Sequence, residues 1–514
     1  MNVTGFDRRR EAWMAVGLFG LTLLSRIPFR SQILYHWDSV NFAYAMREFN
    51  VAKEQPQPPG YIVYVWLCRL VDFIFGDAQT TMVWISIVAS ALAVVALFYL
   101  GRAMFNRQVG LLAALFLATS PLFWFYGEIA LPHSLDTLLV ILGVWWLYET
   151  MQGRHQYLYP AVAVMAVAGG VRQQTLVFLA PLILFALRRV GWKRFLTAGG
   201  LGVVVCLAWF VPLILLNGGV TAYLEAVSAF TGRFNATTSV FMGGGWWGVQ
   251  RNLLKLTMYT LFGWSVALLP FGVYVVVRLW HKQFPNRWEK TLFFVLWLAP
   301  TLIFYSVIHM GQQGLVFVFL PALLLWGAVG LVRLLALEGG RRLAVVAVVL
   351  LAINVAFFCL MPEHPLNFDR IRVLTRATLV NSDRYYQDRF DAIETYLATA
   401  STAILSSCSH HVEYYLPQYV QLPFNVGNKW EKDEGTPKGN RRQVIATPIE
   451  LGLQLDDRGQ AAIVVFDPSL MSFCNNSVSV HKLPLEHGGE LEYFLLTGEQ
   501  AFDYGSLSFG IRQD

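Results

Sequence analysis

The first 361 residues contain eleven apolar segments of near-bilayer length, and no other feature restricts the fold as strongly. A helix crosses the hydrocarbon core with about 20 mostly apolar residues. The segments are 12–30, 81–100, 109–126, 132–150, 157–171, 174–188, 195–216, 257–278, 291–308, 315–335 and 342–361. The fifth and sixth are short and meet at Gly169-Gly170-Val171-Arg172-Gln173-Gln174. That polar break reads as a turn at one membrane face. A single long broken helix is the alternative, and it would invert everything after it. The chain is 56% hydrophobic and 14% charged, against about 25% charged in ordinary soluble domains. This composition excludes a disordered chain and disfavours a purely soluble enzyme. Five cysteines in 514 residues exclude a small disulfide scaffold.

A net charge of +6 invites a nucleic-acid reading, but the location of the charge dissolves it. Residues 1–361 hold 26 Lys+Arg and 13 Asp+Glu, whereas 362–514 hold 13 and 20. The positive excess lies in the apolar part. There it recurs in every second loop: Arg8-Arg9-Arg10; Arg102 and Arg107; Arg154; Arg188, Arg189, Lys193 and Arg194; Arg278, Lys282, Arg287 and Lys290; Arg333, Arg341 and Arg342. Short cytoplasmic loops favour Lys and Arg, so the N-terminus is expected inside. Eleven spans then place 362–514 outside, in a periplasm or extracellular space. The first apolar stretch is too long for a cleavable signal, and no small-residue cleavage site follows it. The expected fold is therefore an α-helical polytopic membrane domain, 1–361, followed by an extracytoplasmic α/β domain, 362–514. In that second part, 383–400 reads as a helix and 402–407, 461–466, 478–483 and 491–496 as strands, with a polar loop at 425–442.

Two outside loops are large. The first, about 31–80, carries a rough helical stripe of apolar residues near Trp37–Phe49, which suits a helix lying in the interface. The apolar stretch 61–70 is too short to span and is expected to lie flat too. The second, about 217–256, carries Gly243-Gly244-Gly245-Trp246-Trp247-Gly248.

Acidic residues are scarce on the outside, and carboxylates at membrane depth are expensive unless they are used. Asp38 follows the first span, against the alternative of a helix N-cap. Glu128 lies in the short loop before the fourth span, against the alternative of a solvated turn. Asp136, read as two turns into that span, is better explained as a polar contact inside the bundle. Gln57-Pro58-Pro59-Gly60-Tyr61 forms a rigid turn. His309, Gln312 and Gln313 lie in a late outside loop, and Arg172 with its glutamines at the turn between the short spans. Cationic and amide donors at a bilayer edge suit a phosphate head group.

In these residues the chain resembles the GT-C superfamily of membrane glycosyltransferases, most closely the branch of aminoarabinose transferases and protein O-mannosyltransferases. The resemblance is carried by Asp38, by the Pro58-Pro59-Gly60-Tyr61 turn, by Glu128, and by Gln312–Pro321 leading into the tenth span. Where the family often has His or Lys before the two prolines, this chain has Gln57. Near His309 the family often has Lys or Arg, so a histidine would bring a pH dependence. The resemblance implies transfer of a hexosyl or pentosyl unit from a polyprenyl-phosphate carrier to an acceptor outside the cytoplasmic (inner) membrane, with inversion. Asp38 would be the base, and Glu128 would hold the acceptor or share that role. Arg172, His309, Gln312, Gln313, Gln57 and Tyr61 would contact the carrier phosphate or the acceptor. The acceptor could be a glycan, a lipid or a protein. No cofactor is expected. The outside loops carry no Asp-x-Asp pair, so no obligatory metal is expected either, and nucleic acid is not an expected partner.

Two other functions remain open at this level. A lipid or sugar transporter would favour internal repeats and polar residues at the midplane, and neither is visible. An oligosaccharide ligase using a pyrophosphate carrier would call for more Arg at the outer face. In the C-terminal part, Cys408-Ser409-His410-His411 lacks four ligands at zinc spacing. A Cys408–Cys474 disulfide is possible in an oxidising compartment.

Overall fold

The computed structural model describes residues 5–282, 288–335, 340–365, 372–407, 409–422, 432–433, 436–437, 449–474, 478–504 and 507–511. The chain divides into two compact units, Met1–Val380 and Asn381–Asp514. This division falls within a helix, whereas the change in charge density in the sequence falls at 361/362.

The first unit is helical. Its elements are α1 (Gly5–Arg26), α2 (Trp37–Arg47), α3 (Ile62–Phe75), α4 (Ala78–Met104), α5 (Arg107–Thr119), α6 (Pro121–Tyr126), α7 (His133–Met151), α8 (Leu158–Val171) and α9 (Gln173–Leu187). They continue as α10 (Trp192–Leu216), α11 (Val220–Thr238), α12 (Gly245–Trp264), α13 (Leu268–Trp280), α14 (Trp288–Val307), α15 (Leu320–Leu335) and α16 (Gly340–Leu360). Every one of the eleven apolar segments is helical. Among the described residues, six helical stretches are long and apolar enough to cross a bilayer: Arg9–Phe29, Ala78–Met104, Trp192–Leu216, Gly245–Trp280, Trp288–Val307 and Gly340–Leu360. Shorter apolar helices cover α5, α9 and α15. The protein is a multi-pass membrane protein.

The first large loop holds the two short helices its pattern suggested, α2 and α3. On α3, Leu70, Phe73 and Ile74 are 66%, 90% and 77% exposed, an apolar face suited to lipid at the interface.

The break between the short spans is a turn. A Cβ on Gly169 would lie 3.1 Å from the Cβ of Leu176. Seven residues along one straight helix are about 10.5 Å apart. α9 therefore folds back on α8, and the reversal occurs at Arg172, which is extended at φ −152° and ψ 104°.

Polar contacts sort the helix ends into two groups. At one end, Arg102 pairs with Glu11 at 2.9 Å, Arg188 with Glu289 at 2.8 Å and Arg154 with Glu149 at 2.7 Å, while Lys290 Nζ donates to Met104 O. Basic residues from several of the loops lie at this end. At the other end, Gln79 Nε2 donates to Ser31 O at 2.5 Å and Ser31 N to Glu128 O at 3.0 Å, and the chemistry-bearing residues gather there.

Close helix approach depends on glycine. A Cβ on Gly110 (α5) would lie 2.4 Å from Phe98 O and 2.8 Å from Arg102 N of α4. Backbone cannot give way as a side chain can, so Gly110→Ala must push α4 and α5 apart. An overpacking cost of about 1–3 kcal/mol is expected, seen as a lowered Tm in detergent. Gly199→Ala, at a position with nothing within 4 Å, is the control and leaves Tm unchanged.

In the second unit, the latter part of α17 (Arg376–Tyr396) and the short α18 (Ser409–Tyr415) accompany a five-stranded sheet. Its strand order is 420–422, 402–405, 460–465, 490–497 and 480–484. The first three strands are parallel and the last two join antiparallel. A three-stranded sheet is built from 449–451, 507–511 and 501–504. Buried Ile463, Val465, Phe494, Leu496, Phe502 and Phe509 share one core cluster. Cys408 lies outside the described residues, and with it the Cys408–Cys474 pairing. So does most of the polar loop at 425–442.

Candidate active site

Asp38 is the second residue of α2, not its cap. The cap is His36, whose Nδ1 accepts from Asp38 N at 3.1 Å. Asp38 Oδ2 accepts from Gln312 Nε2 at 2.5 Å, joining the first loop to the late one. His36 Nδ1 also stands 3.5 Å from Asp38 Oδ2, yet a nitrogen that accepts a backbone N–H carries no proton. Burial, aided by the Arg372 guanidinium, holds His36 down at about 4. The two therefore do not form an ion pair at neutral pH. The carboxylate sits in the first turn of a helix, where the backbone dipole favours negative charge.

The proline turn supports this position from below. Gly60 N donates to Gln57 O at 3.1 Å, and Gly60 has φ +117°, where a side chain would be strained. Tyr61 follows in the left-handed region with φ 44° and sets its ring edge-on to Phe42 of α2 at 5.2 Å. Desolvation pushes the Tyr61 phenol up to about 12, with Arg172 opposing and Asp38 adding. The phenol thus lies within the fields of both groups. Gln57 is buried, and its Oε1 has no hydrogen-bond partner among the described residues. Pro59 O accepts from Gln173 Nε2 at 3.2 Å and from Tyr223 OH at 2.9 Å, which ties the turn to the α8–α9 reversal and to α11.

Arg172 is buried at that reversal. Its Nη2 donates to Tyr305 OH at 2.9 Å, and its Nη1 lies 3.6 Å from Asp136 Oδ2 with no acceptor in hydrogen-bond range. Asp136 also accepts from Thr175 Oγ1 at 2.9 Å. It sits in the first turn of α7, not two turns in, and it is the polar contact inside the bundle that its depth implied. Arg172 is therefore a balanced cation with one nitrogen still lacking an acceptor.

The late loop splits. Gln312 reaches Asp38. Gln313 Oε1 accepts from Tyr126 OH at 3.5 Å. His309 is elsewhere, with Nδ1 3.1 Å from Thr238 Oγ1. Burial, together with Arg251 and Lys255, lowers His309 to about 4. At neutral pH it offers a hydrogen bond rather than a charge, and the pH dependence anticipated for it moves out of the physiological range. The cations beside it are Arg251 and Lys255, one helical turn apart on α12. The sequence pattern places them in the loop 217–256; their i, i+4 spacing just ahead of the apolar segment 257–278 is the signal for a shared helical face.

Glu128 is held among the residues of α6 and α1. Its side chain is fully buried, Oε1 accepts from Trp124 Nε1 at 2.7 Å, and Oε2 has no hydrogen-bond partner among the described residues. Desolvation holds its carboxyl well above the usual carboxylate range, against the opposing pull of Arg26 and the indole. Among the described residues, the group of three potential metal ligands that lies together is Asp388, Glu486 and His487, in the second unit.

A comparison with solved structures identifies the fold that carries these residues. ArnT from Cupriavidus metallidurans bound to undecaprenyl phosphate aligns over 95% of this chain and 99% of its own, at 13% identity and a TM-score of 0.55. The chain has the GT-C fold. ArnT from the same organism in the apo state aligns over 94% of this chain and 99% of its own, at 15% identity and 0.53. An oligosaccharyltransferase from Archaeoglobus fulgidus in the apo form aligns over 82% of this chain and 66% of its own, at 12% identity and 0.49. Residues 56–215 match the family model for dolichyl-phosphate-mannose-protein mannosyltransferase. Comparison with curated protein sequences gives no match. The matched segment runs from the proline turn into α10 and includes the Arg172 reversal.

Proposed function

We propose that the protein transfers a sugar from a polyprenyl-phosphate carrier to an acceptor hydroxyl, at the end of the bundle where Asp38 lies. The observation that carries this reading is the Asp38–Gln312 contact. It fixes a carboxylate in a half-buried place between the two loops, next to the Tyr61–Arg172 group. Support also comes from the solved ArnT with undecaprenyl phosphate, which shares the fold over nearly the whole chain.

In the proposed step the acceptor oxygen attacks the anomeric carbon and Asp38 takes its proton. The bond from that carbon to the phosphate oxygen breaks, and its electron pair leaves on the polyprenyl phosphate. One displacement inverts the anomeric centre. The departing phosphate gathers negative charge, which needs preorganised donors. Arg172 Nη1 and the Arg251–Lys255 pair beside His309 are suited to it, while Gln57 Oε1, an acceptor, suits a hydroxyl of the sugar or the acceptor. Gln312 holds the base. Glu128 serves instead as a buried brace for Trp124 and Arg26. By the rule that short cytoplasmic loops are basic, the Asp38 end faces out of the cytoplasmic membrane and the N-terminus faces in.

Purified protein incubated with a panel of polyprenyl-phosphate sugars, followed by mass spectrometry of acceptor products, tests the reading. A glycosylated product with release of the polyprenyl phosphate is expected. Uptake of sugar or lipid into proteoliposomes without any transfer product would point to a transporter.

The two lowered histidines make a separate prediction. A group held at about 4 in the folded protein and near 6.5 when unfolded stays neutral in both states above pH 6.5. Below that, the unfolded chain binds protons that the folded one does not, so stability falls as pH drops from 6.5 towards 4. Tm is therefore expected to drop less between pH 7 and 5 in His309→Gln than in the unchanged protein. The rate profile of His309→Gln between pH 6 and 8 should keep its shape.

A further inference from the structure

The opposite end of the bundle carries an amphipathic cavity, of about 690 Å³. It opens between α13, α14 and α15, with Phe105 contributing from beside α5. Three cations line it: Arg278 in the last turn of α13, Lys290 in the first turn of α14 and Arg333 in the last turn of α15. No carboxylate is among the lining residues. From Lys290 the lining continues along α14 to Leu302, twelve residues on and about 18 Å by helical rise. Beyond Thr291 it is apolar or aromatic, with the Trp326 ring stacked on Phe271 at 5.5 Å and 5.2 Å from Phe294. The polarity thus runs one way, from cations at the helix ends to hydrocarbon-like walls at depth.

We infer that this cavity is a binding site for an anionic phospholipid. The Arg278, Lys290 and Arg333 end would take the head-group phosphate, and the groove running to Leu302 would take an acyl chain. Charge complementarity selects the occupant. A zwitterionic lipid gains little from three cations, and a soluble anion gains nothing from a long apolar groove. Basic pockets between spanning helices at the cytoplasmic face recognise anionic head groups, and basic residues from several loops of this chain lie at that end. The site lies at the other end of the bundle from Asp38, so it stands apart from the proposed reaction.

The test is a titration by native mass spectrometry of detergent-solubilised full-length protein with phosphatidylglycerol, phosphatidylcholine and inorganic phosphate. Phosphatidylglycerol is expected to bind selectively. Arg278→Gln with Arg333→Gln should weaken it about 30-fold, from the loss of two surface cations. Both residues sit at helix ends, so the variant should keep its Tm in lipid-free detergent. Ala299→Trp leaves the cations in place and fills the groove, and it should weaken phosphatidylglycerol too. Equal binding of the two lipids would overturn the inference. So would unchanged binding in the double variant. Displacement of phosphatidylglycerol by millimolar inorganic phosphate, with Ala299→Trp without effect, would make the site one for a soluble anion and overturn it as well.

Discussion

Asp38→Asn lowers sugar transfer from a polyprenyl-phosphate donor by roughly 10²–10⁴-fold, the usual contribution of a positioned general base. Asparagine keeps the size of the side chain and still presents an oxygen to Gln312 Nε2, so the bridge between the two loops is retained. What disappears is a group able to accept the acceptor's proton. The loss should therefore fall on kcat, with the KM for the donor changed little, because the donor's phosphate is held elsewhere. Stability should hardly move. The charge lost from the first turn of α2 is worth about 0.3–1 kcal/mol in favourable helix-dipole interaction. Gln312→Ala gives a useful comparison: the base survives but loses its 2.5 Å partner, so a smaller fall in kcat is expected. Full-rate transfer by Asp38→Asn would remove Asp38 from the mechanism. His36→Ala tests the same site from the other side. It removes the acceptor for Asp38 N, and with it the cap of α2. A cap deletion costs about 0.5–2 kcal/mol, so a modest fall in both Tm and rate is expected.

Much of the fold was legible because a bilayer forces it. Each apolar segment of sufficient length had to become a helix, since unpaired backbone is too costly in hydrocarbon. The alternation of basic loops gave an expected order of the helix ends, and the Arg102–Glu11 and Arg188–Glu289 pairs bring basic residues of two of those loops into contact with acidic partners. The reversal at Arg172 was legible too, because Gly169-Gly170 permits close packing and Arg172 with two glutamines cannot stay in lipid. Three things escaped the sequence. The buried state of Glu128 depends on Trp124 and Arg26, and a loop of few residues does not announce that its carboxylate turns inward. The state of His309 is set by Arg251 and Lys255, more than fifty positions earlier, so no local pattern could show that it stays neutral. The partner of Arg172 was split between Asp136 on α7 and Tyr305 on α14. Each looked like an isolated polar residue in an apolar run, and only helix packing brings them together. In the second unit, the long central strands were visible from their apolar runs. The short strands 420–422, 449–451 and 507–511 were not, because a few residues carry too little periodicity.

Arg172→Gln and Asp136→Asn should each be strongly destabilising, and their effects should not add. The two side chains are buried, 3.6 Å apart between Nη1 and Oδ2. Removing one leaves the other charge desolvated, with only Tyr305 and Gln174, or Thr175, as neutral partners. Breaking a buried pair in this way costs about 3–5 kcal/mol, whereas replacing both partners by apolar residues of similar volume is often neutral or better. Asp136→Leu combined with Arg172→Met is therefore expected to recover most of the Tm that either polar substitution loses. This double variant also separates the two roles of Arg172. If Nη1 contributes to holding the carrier phosphate, the stable double variant should still bind its donor several-fold more weakly. A charge-assisted hydrogen bond of about 1.5–3 kcal/mol would have gone. If donor binding returns together with Tm, Arg172 is a brace for the α8–α9 reversal, and the phosphate contact passes to Arg251 and Lys255. Arg251→Gln in the unchanged background decides that branch: its effect should appear in the KM for the polyprenyl-phosphate sugar, with kcat falling less.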